Sequence, residues 1–127
     1  MCDIGLLRRV ANLPPQALMN SSAYQDFKGA MTENFVCCEL KRIYESEIYY
    51  WTAEGSGKAE VDFVIQDGVH IVPIEVKAGS ANQARSLGQY CKKFNPDKSV
   101  LTSLYDEKQN ILPLYAFWKL KDWLDTR

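Results

Sequence analysis

Apolar residues fall into two rhythms along this chain. Over residues 22–44 they recur at three- and four-residue steps, through Phe27, Ala30, Met31, Cys37, Leu40 and Tyr44, which predicts a long helix. Alternation then takes over. Residues 48–53 (IYYWTA), 60–66 (EVDFVIQ) and 70–78 (HIVPIEVKA) read as three strands, the last two joined at Asp67-Gly68, a strong hairpin signal. Pro73 assigns the third strand to a sheet edge or to a bulge. Gly79-Ser80 breaks that strand. Residues 82–94 (NQARSLGQYCKKF) return to helical spacing until Asn95-Pro96, and 99–105 (SVLTSLY) form a fourth strand. A polar turn, DEKQN, leads to a short extended segment over 111–117 (ILPLYAF), and WKLKDWLDTR closes the chain as an amphipathic helix. At the start, Asp3 caps a short helix carrying Leu6, Leu7 and Val10, which Pro14-Pro15 ends. The order helix, three strands, helix, strand predicts an α/β domain with a mixed central sheet flanked by helices.

Length and composition narrow the class. A chain of 127 residues is one domain, with a usual globular mix of 46% hydrophobic and 24% charged residues. No apolar run approaches the ~20 residues that span a bilayer, and no signal peptide is visible. Cys2, Cys37, Cys38 and Cys91 form no CxxC pair, and His70 is the single histidine, so zinc is not expected and reduced thiols in a cytoplasmic protein are. The net charge of −1 gives no global footprint for nucleic acid. Contact with DNA would need a local cluster such as Arg85, Lys92, Lys93 and Lys98.

The segment EGSGKAEVD (residues 54–62) invites a phosphate-loop reading that its residues refuse. A P-loop needs G-x-x-x-x-G-K-[ST] between a strand and a helix. Here Gly57-Lys58 is followed by Ala59, the first glycine position is Thr52, and a strand follows. Gly55 and Gly57 therefore read as a turn between strands, and no nucleotide site is expected.

That turn delivers Asp62. Strict alternation puts Val61, Phe63 and Ile65 on one face of the second strand and Val72, Ile74 and Val76 on one face of the third. The hairpin then gathers Asp62, Glu75 and Lys77 on the opposite face. Glu33 falls between Leu40 and Tyr44 on the helical wheel, a carboxylate on an apolar face that wants a partner or a metal. Two carboxylates on neighbouring strands supply hard oxygen ligands for Mg²⁺ or Mn²⁺. A lysine two residues further along can orient water and stabilise charge developing on a phosphate. The bland alternative is a solvated strand face, since D…ExK is short. The hairpin spacing, Glu33 and the element order favour a metal-assisted phosphodiester hydrolysis site, in which at least one carboxyl is expected to titrate high without metal, with Glu75 the candidate because Pro73 and Val76 flank it on an apolar strand.

The set Glu33, Asp62 and Glu75-Val76-Lys77 resembles the PD-(D/E)XK nuclease superfamily, with its restriction-endonuclease-like fold. That resemblance implies Asp62, Glu75 and Glu33 as metal ligands, Lys77 as a catalytic group, and Gln89 as the glutamine many members carry on the following helix. Val61 stands where the superfamily pattern has proline. The wording of DIGLLRRV, GAMTENFVCCEL, IYYWTAEGSGKAEVDFVI, IVPIEVKAG and SLGQYCKKF is similar, over nearly the whole chain, to the C-terminal domain of unknown function of bacterial and archaeal AAA-type ATPases. This implies an upstream ATPase domain that the present sequence lacks, and an apolar stretch at Ile4–Leu7 in need of cover. The expected function is a divalent-metal-dependent nuclease module acting on DNA. The competing expectation, raised by the slight acidity and by Tyr49, Tyr50, Trp51, Trp118 and Trp123, is a silent DNA- or protein-binding regulatory module, with a homo-oligomer allowed.

Overall fold

The computed structural model of the protein describes residues 3–14, 25–55, 59–79, 84–105 and 108–127. Helix α1 (Ile4–Val10) opens it, capped by the Asp3 carboxylate, which accepts a hydrogen bond from the Leu6 N–H. Helix α2 (Gln25–Ile43) precedes strands β1 (Tyr49–Thr52), β2 (Glu60–Asp67) and β3 (His70–Lys77). Helix α3 (Arg85–Phe94) leads to β4 (Val100–Ser103) and the two-residue β5 (Leu112–Pro113). A 3-10 helix (Leu114–Lys119) runs directly into α4 (Leu120–Asp125). The architecture is the expected one, a mixed α/β domain, and it is compatible with a restriction-endonuclease-like core. The turn residues Gly57 and Lys58, and Ser80 after β3, lie outside the described residues.

The sheet has the order β1-β2-β3-β4-β5. Its first two pairings are antiparallel and its last two parallel. One cluster fills the side under α2: Val36, Leu40 and Tyr44 meet Ile65, Val72, Ile74, Val76 and Val100, and Phe117, Leu120 and Leu124 close over them. Helix α3 buries Leu87 and Tyr90 outside that cluster and packs on β2 and β3. Residues 72–76 of β3 are all buried, as a strand covered on both faces must be.

Several sequence expectations are corrected here. The buried stripe of α2 is Thr32, Val36 and Leu40, a four-residue step that Tyr44 continues just past the helix, with Met31 buried beside it; Phe27 and Ala30 are exposed, and Glu33 sits beside the stripe instead of on it. Pro73 lies in the middle strand of the sheet, not at an edge. Proline is tolerated there because the parallel ladder with β4 starts one residue later, at Ile74 opposite Val100, so no ladder bond needs its missing N–H. In the hairpin only Gly68 has positive φ (+61°), and it is the first of the two turn residues, so the turn is centred on Gly68-Val69. The segment 111–117 is extended only at Leu112–Pro113. Leu114, Phe117 and Leu120 are buried at a three-residue step, which is the period of a 3-10 helix, and Leu124 follows at the α-helical step of four.

The alternation of β2 also breaks. Tyr49 pairs with Val64 and Trp51 with Val61, so Tyr50 alone faces two residues, Asp62 and Phe63. That is a β-bulge in β2. It explains why Phe63 packs against the α2-side cluster while Val61, although fully buried, is not part of it.

Candidate active site

The site forms at the sheet end where β2 begins and β3 finishes. The β2–β3 pairing runs from Asp67 opposite His70 to Phe63 opposite Ile74 and stops there. Beyond it the strands part, and the Asp62 carboxylate enters the gap: its Oδ2 accepts a hydrogen bond from the Val76 N–H at 2.7 Å. A side chain thus replaces the backbone acceptor that continued pairing would have supplied. Val76 lies between Glu75 and Lys77, so Asp62 is tied to the middle of the E-x-K segment. Lys77 Nζ pairs with Glu75 Oε1 at 2.6 Å; the lysine side chain is about one-third exposed and the glutamate side chain almost wholly buried.

Electrostatics single out Asp62. Burial pushes its carboxyl up to about 6; the Val76 N–H opposes the rise, the charges of Glu75 and Glu33 add to it, and Lys77 lowers it. Glu33 stands at the rim of the site, exposed on α2. Its carboxyl is also raised, first by partial burial and then by Glu60, with Lys77 pulling the other way and Glu75 adding. Gln89 lies exposed on α3. Two features were not legible in the sequence: the Val76 N–H, which only the strand parting frees, and the placement of Tyr50 opposite Asp62, which the bulge sets.

Glu75 tests whether a cation suits the place. It is 3% exposed, one oxygen faces Lys77, and the other, Oε2, is buried with no hydrogen-bond partner among the described residues. A buried carboxylate oxygen without a donor costs ~1–3 kcal/mol or more. With Asp62 driven toward its neutral form nearby, the pair is short of positive charge, and hard oxygen donors fit Mg²⁺ or Mn²⁺. Among the described residues, no group of three or more His, Cys, Asp or Glu side chains is gathered as a preformed cage. The fit therefore rests on Asp62 and Glu75.

The raised Asp62 has a consequence for stability without metal. The folded value of about 6 exceeds the ordinary 3.8, so its contribution is full below pH ~4 and is lost as pH rises through 6. In chelator, Asp62→Asn should therefore stabilise the protein at pH 7.5, by ~1 kcal/mol once partial solvation is allowed for. The asparagine oxygen can still accept the Val76 N–H. Thermal melts at pH 7.5 and pH 4 check this: the gain should vanish at the lower pH, and an equal gain at both would mean the carboxyl is not what matters.

Fold and side chains together define a mixed α/β domain whose parted central strands hold two carboxylates and a lysine at one sheet end. The chain belongs to the family of domains of unknown function DUF4143, whose model matches residues 28–120. No curated protein and no solved structure matches it. Among the described residues, no helix is long and apolar enough to cross a membrane.

Proposed function

We propose that this domain is a divalent-metal-dependent phosphodiesterase acting on DNA, a nuclease module of the PD-(D/E)XK type. The observation that carries the reading is Asp62 anchored on the Val76 N–H between Glu75 and Lys77, with Glu75 Oε2 buried and unpartnered. Asp62 and Glu75 would hold Mg²⁺ or Mn²⁺, with Glu33 at the rim as an outer acidic group. When bound, such an ion polarises the phosphate and acidifies a water. The chain's own residues do the rest. The Val76 N–H fixes Asp62, and Glu75 aims the Lys77 ammonium. Lys77 then holds the negative charge that grows on the phosphate oxygens and orients the attacking water. Gln89 would have to act from the exposed surface of α3. Placement behind an AAA-type ATPase domain, in the cytoplasm, is part of the same proposal and rests on the sequence resemblance.

Incubation of single-stranded, duplex and branched DNA with Mg²⁺ or Mn²⁺ tests the proposal. Cleavage should require the metal and be lost in Lys77→Ala. The second reading, a silent binding module, is favoured by one observation: Lys77 is already closed on Glu75 in an ion pair. Absence of cleavage on every substrate, with no metal bound at millimolar concentration, would select it.

A further inference from the structure

Asp62 belongs to a second feature. It lines a groove of about 430 Å³ together with Phe63, Cys37 and Lys41 of α2, and Tyr49 and Tyr50 of β1. The two tyrosines are 59% and 70% exposed, high values for residues of that size within a strand. Tyr49 is held in place, its hydroxyl donating to Glu47 Oε2 at 2.8 Å. Tyr50 is set by the bulge to face Asp62 and Phe63. The groove therefore offers an aromatic wall, one ammonium, Lys41, and the Glu47 carboxylate that the Tyr49 hydroxyl engages, in continuity with Asp62.

We propose that this groove is a subsite for an unpaired nucleotide, so that DNA entering the site is single-stranded at that point. Aromatic side chains bind bases by stacking, and only an unpaired base has a free face to give. The volume is at the low end for small-ligand sites, the scale of one nucleotide and not of a base pair. Lys41 supplies charge for an adjacent phosphate. A peptide strand added along β1 fits less well, because that edge is only four residues long. The position of the base relative to the cleaved bond rests on the phosphodiesterase reading; base binding itself does not.

The test is fluorescence polarisation with labelled oligothymidylate of about 15 nucleotides, long enough to fill a typical single-strand site, and with a blunt duplex of equal length. Ca²⁺ replaces Mg²⁺, and gels confirm that the DNA stays intact. Tyr50→Ala should weaken single-strand binding about 5- to 100-fold and leave duplex binding unchanged, while Tyr50→Phe should bind single strands as wild type does. Thermal melts of both variants should match wild type, since Tyr50 is exposed. Equal single-strand binding by Tyr50→Ala and wild type overturns the proposal, as does an equal loss on both DNAs. Cleavage by wild type beside Lys77→Ala is scored separately. Tyr50-dependent binding without Lys77-dependent cleavage leaves the subsite standing and removes hydrolysis; the converse removes the subsite alone.

Discussion

Replacing Lys77 by alanine should lower metal-dependent DNA cleavage by about 10²- to 10³-fold, the loss of one preorganised donor worth ~3–4 kcal/mol in the transition state. The fold should survive but weaken. Lys77 is the ionic partner of Glu75, which is 3% exposed, and its removal leaves both carboxylate oxygens without a charged neighbour at hydrogen-bond distance among the described residues. Breaking a fully buried pair costs ~3–5 kcal/mol; Lys77 is partly solvated, so a smaller loss, ~1–2 kcal/mol, is expected here. Lys77→Ala/Glu75→Gln should recover much of that stability and none of the cleavage. Melting curves and cleavage rates on the same preparations separate the two effects. Cleavage by Lys77→Ala at the wild-type rate would point to a contaminating nuclease.

The largest effect on stability is expected at Phe117. This residue is wholly buried where the 3-10 helix crosses the α2-side core, against a cluster that includes Leu40, Ile74 and Leu112. Phe117→Ala removes a ring that no neighbour can replace and should cost ~3–5 kcal/mol, a large share of the 5–15 kcal/mol typical of a domain. Trp118→Ala is the internal control. Trp118 sits next along the same helix but is 58% exposed with Lys119 over its ring, so ~1 kcal/mol or less is expected. Urea unfolding of the three proteins gives the comparison, and similar midpoints for both variants would mean that the 3-10 helix is not seated on the core.

The alternating patterns of EVDFVIQ and HIVPIEVK, with a glycine turn between, were enough to place β2, β3 and their hairpin, because side-chain period and turn chemistry are local properties. Asp3 and Asn95 likewise marked helix ends through their own backbone and side-chain bonds: Asp3 accepts from Leu6, and Asn95 takes the left-handed conformation that closes α3. The candidate residues Asp62, Glu75 and Lys77 were legible as residue types at the ends of the two hairpin strands, but their meeting was not, since the register stops at Phe63 opposite Ile74. Pairing partners beyond the hairpin decided the rest. The central place of Pro73 depends on where β4 joins, and the bulge at Asp62-Phe63 on how β1 is laid beside β2. The exposure of Glu33 depends on which stripe of α2 the sheet receives, and the helical wheel had put this residue on the apolar face. These are contacts between distant segments, and no local rhythm encodes them. For that reason the residue types of the site could be read from the chain, whereas the Val76 N–H that holds Asp62, the unpartnered oxygen of Glu75 and the groove under Tyr50 exist only once the strands have been brought together and have parted.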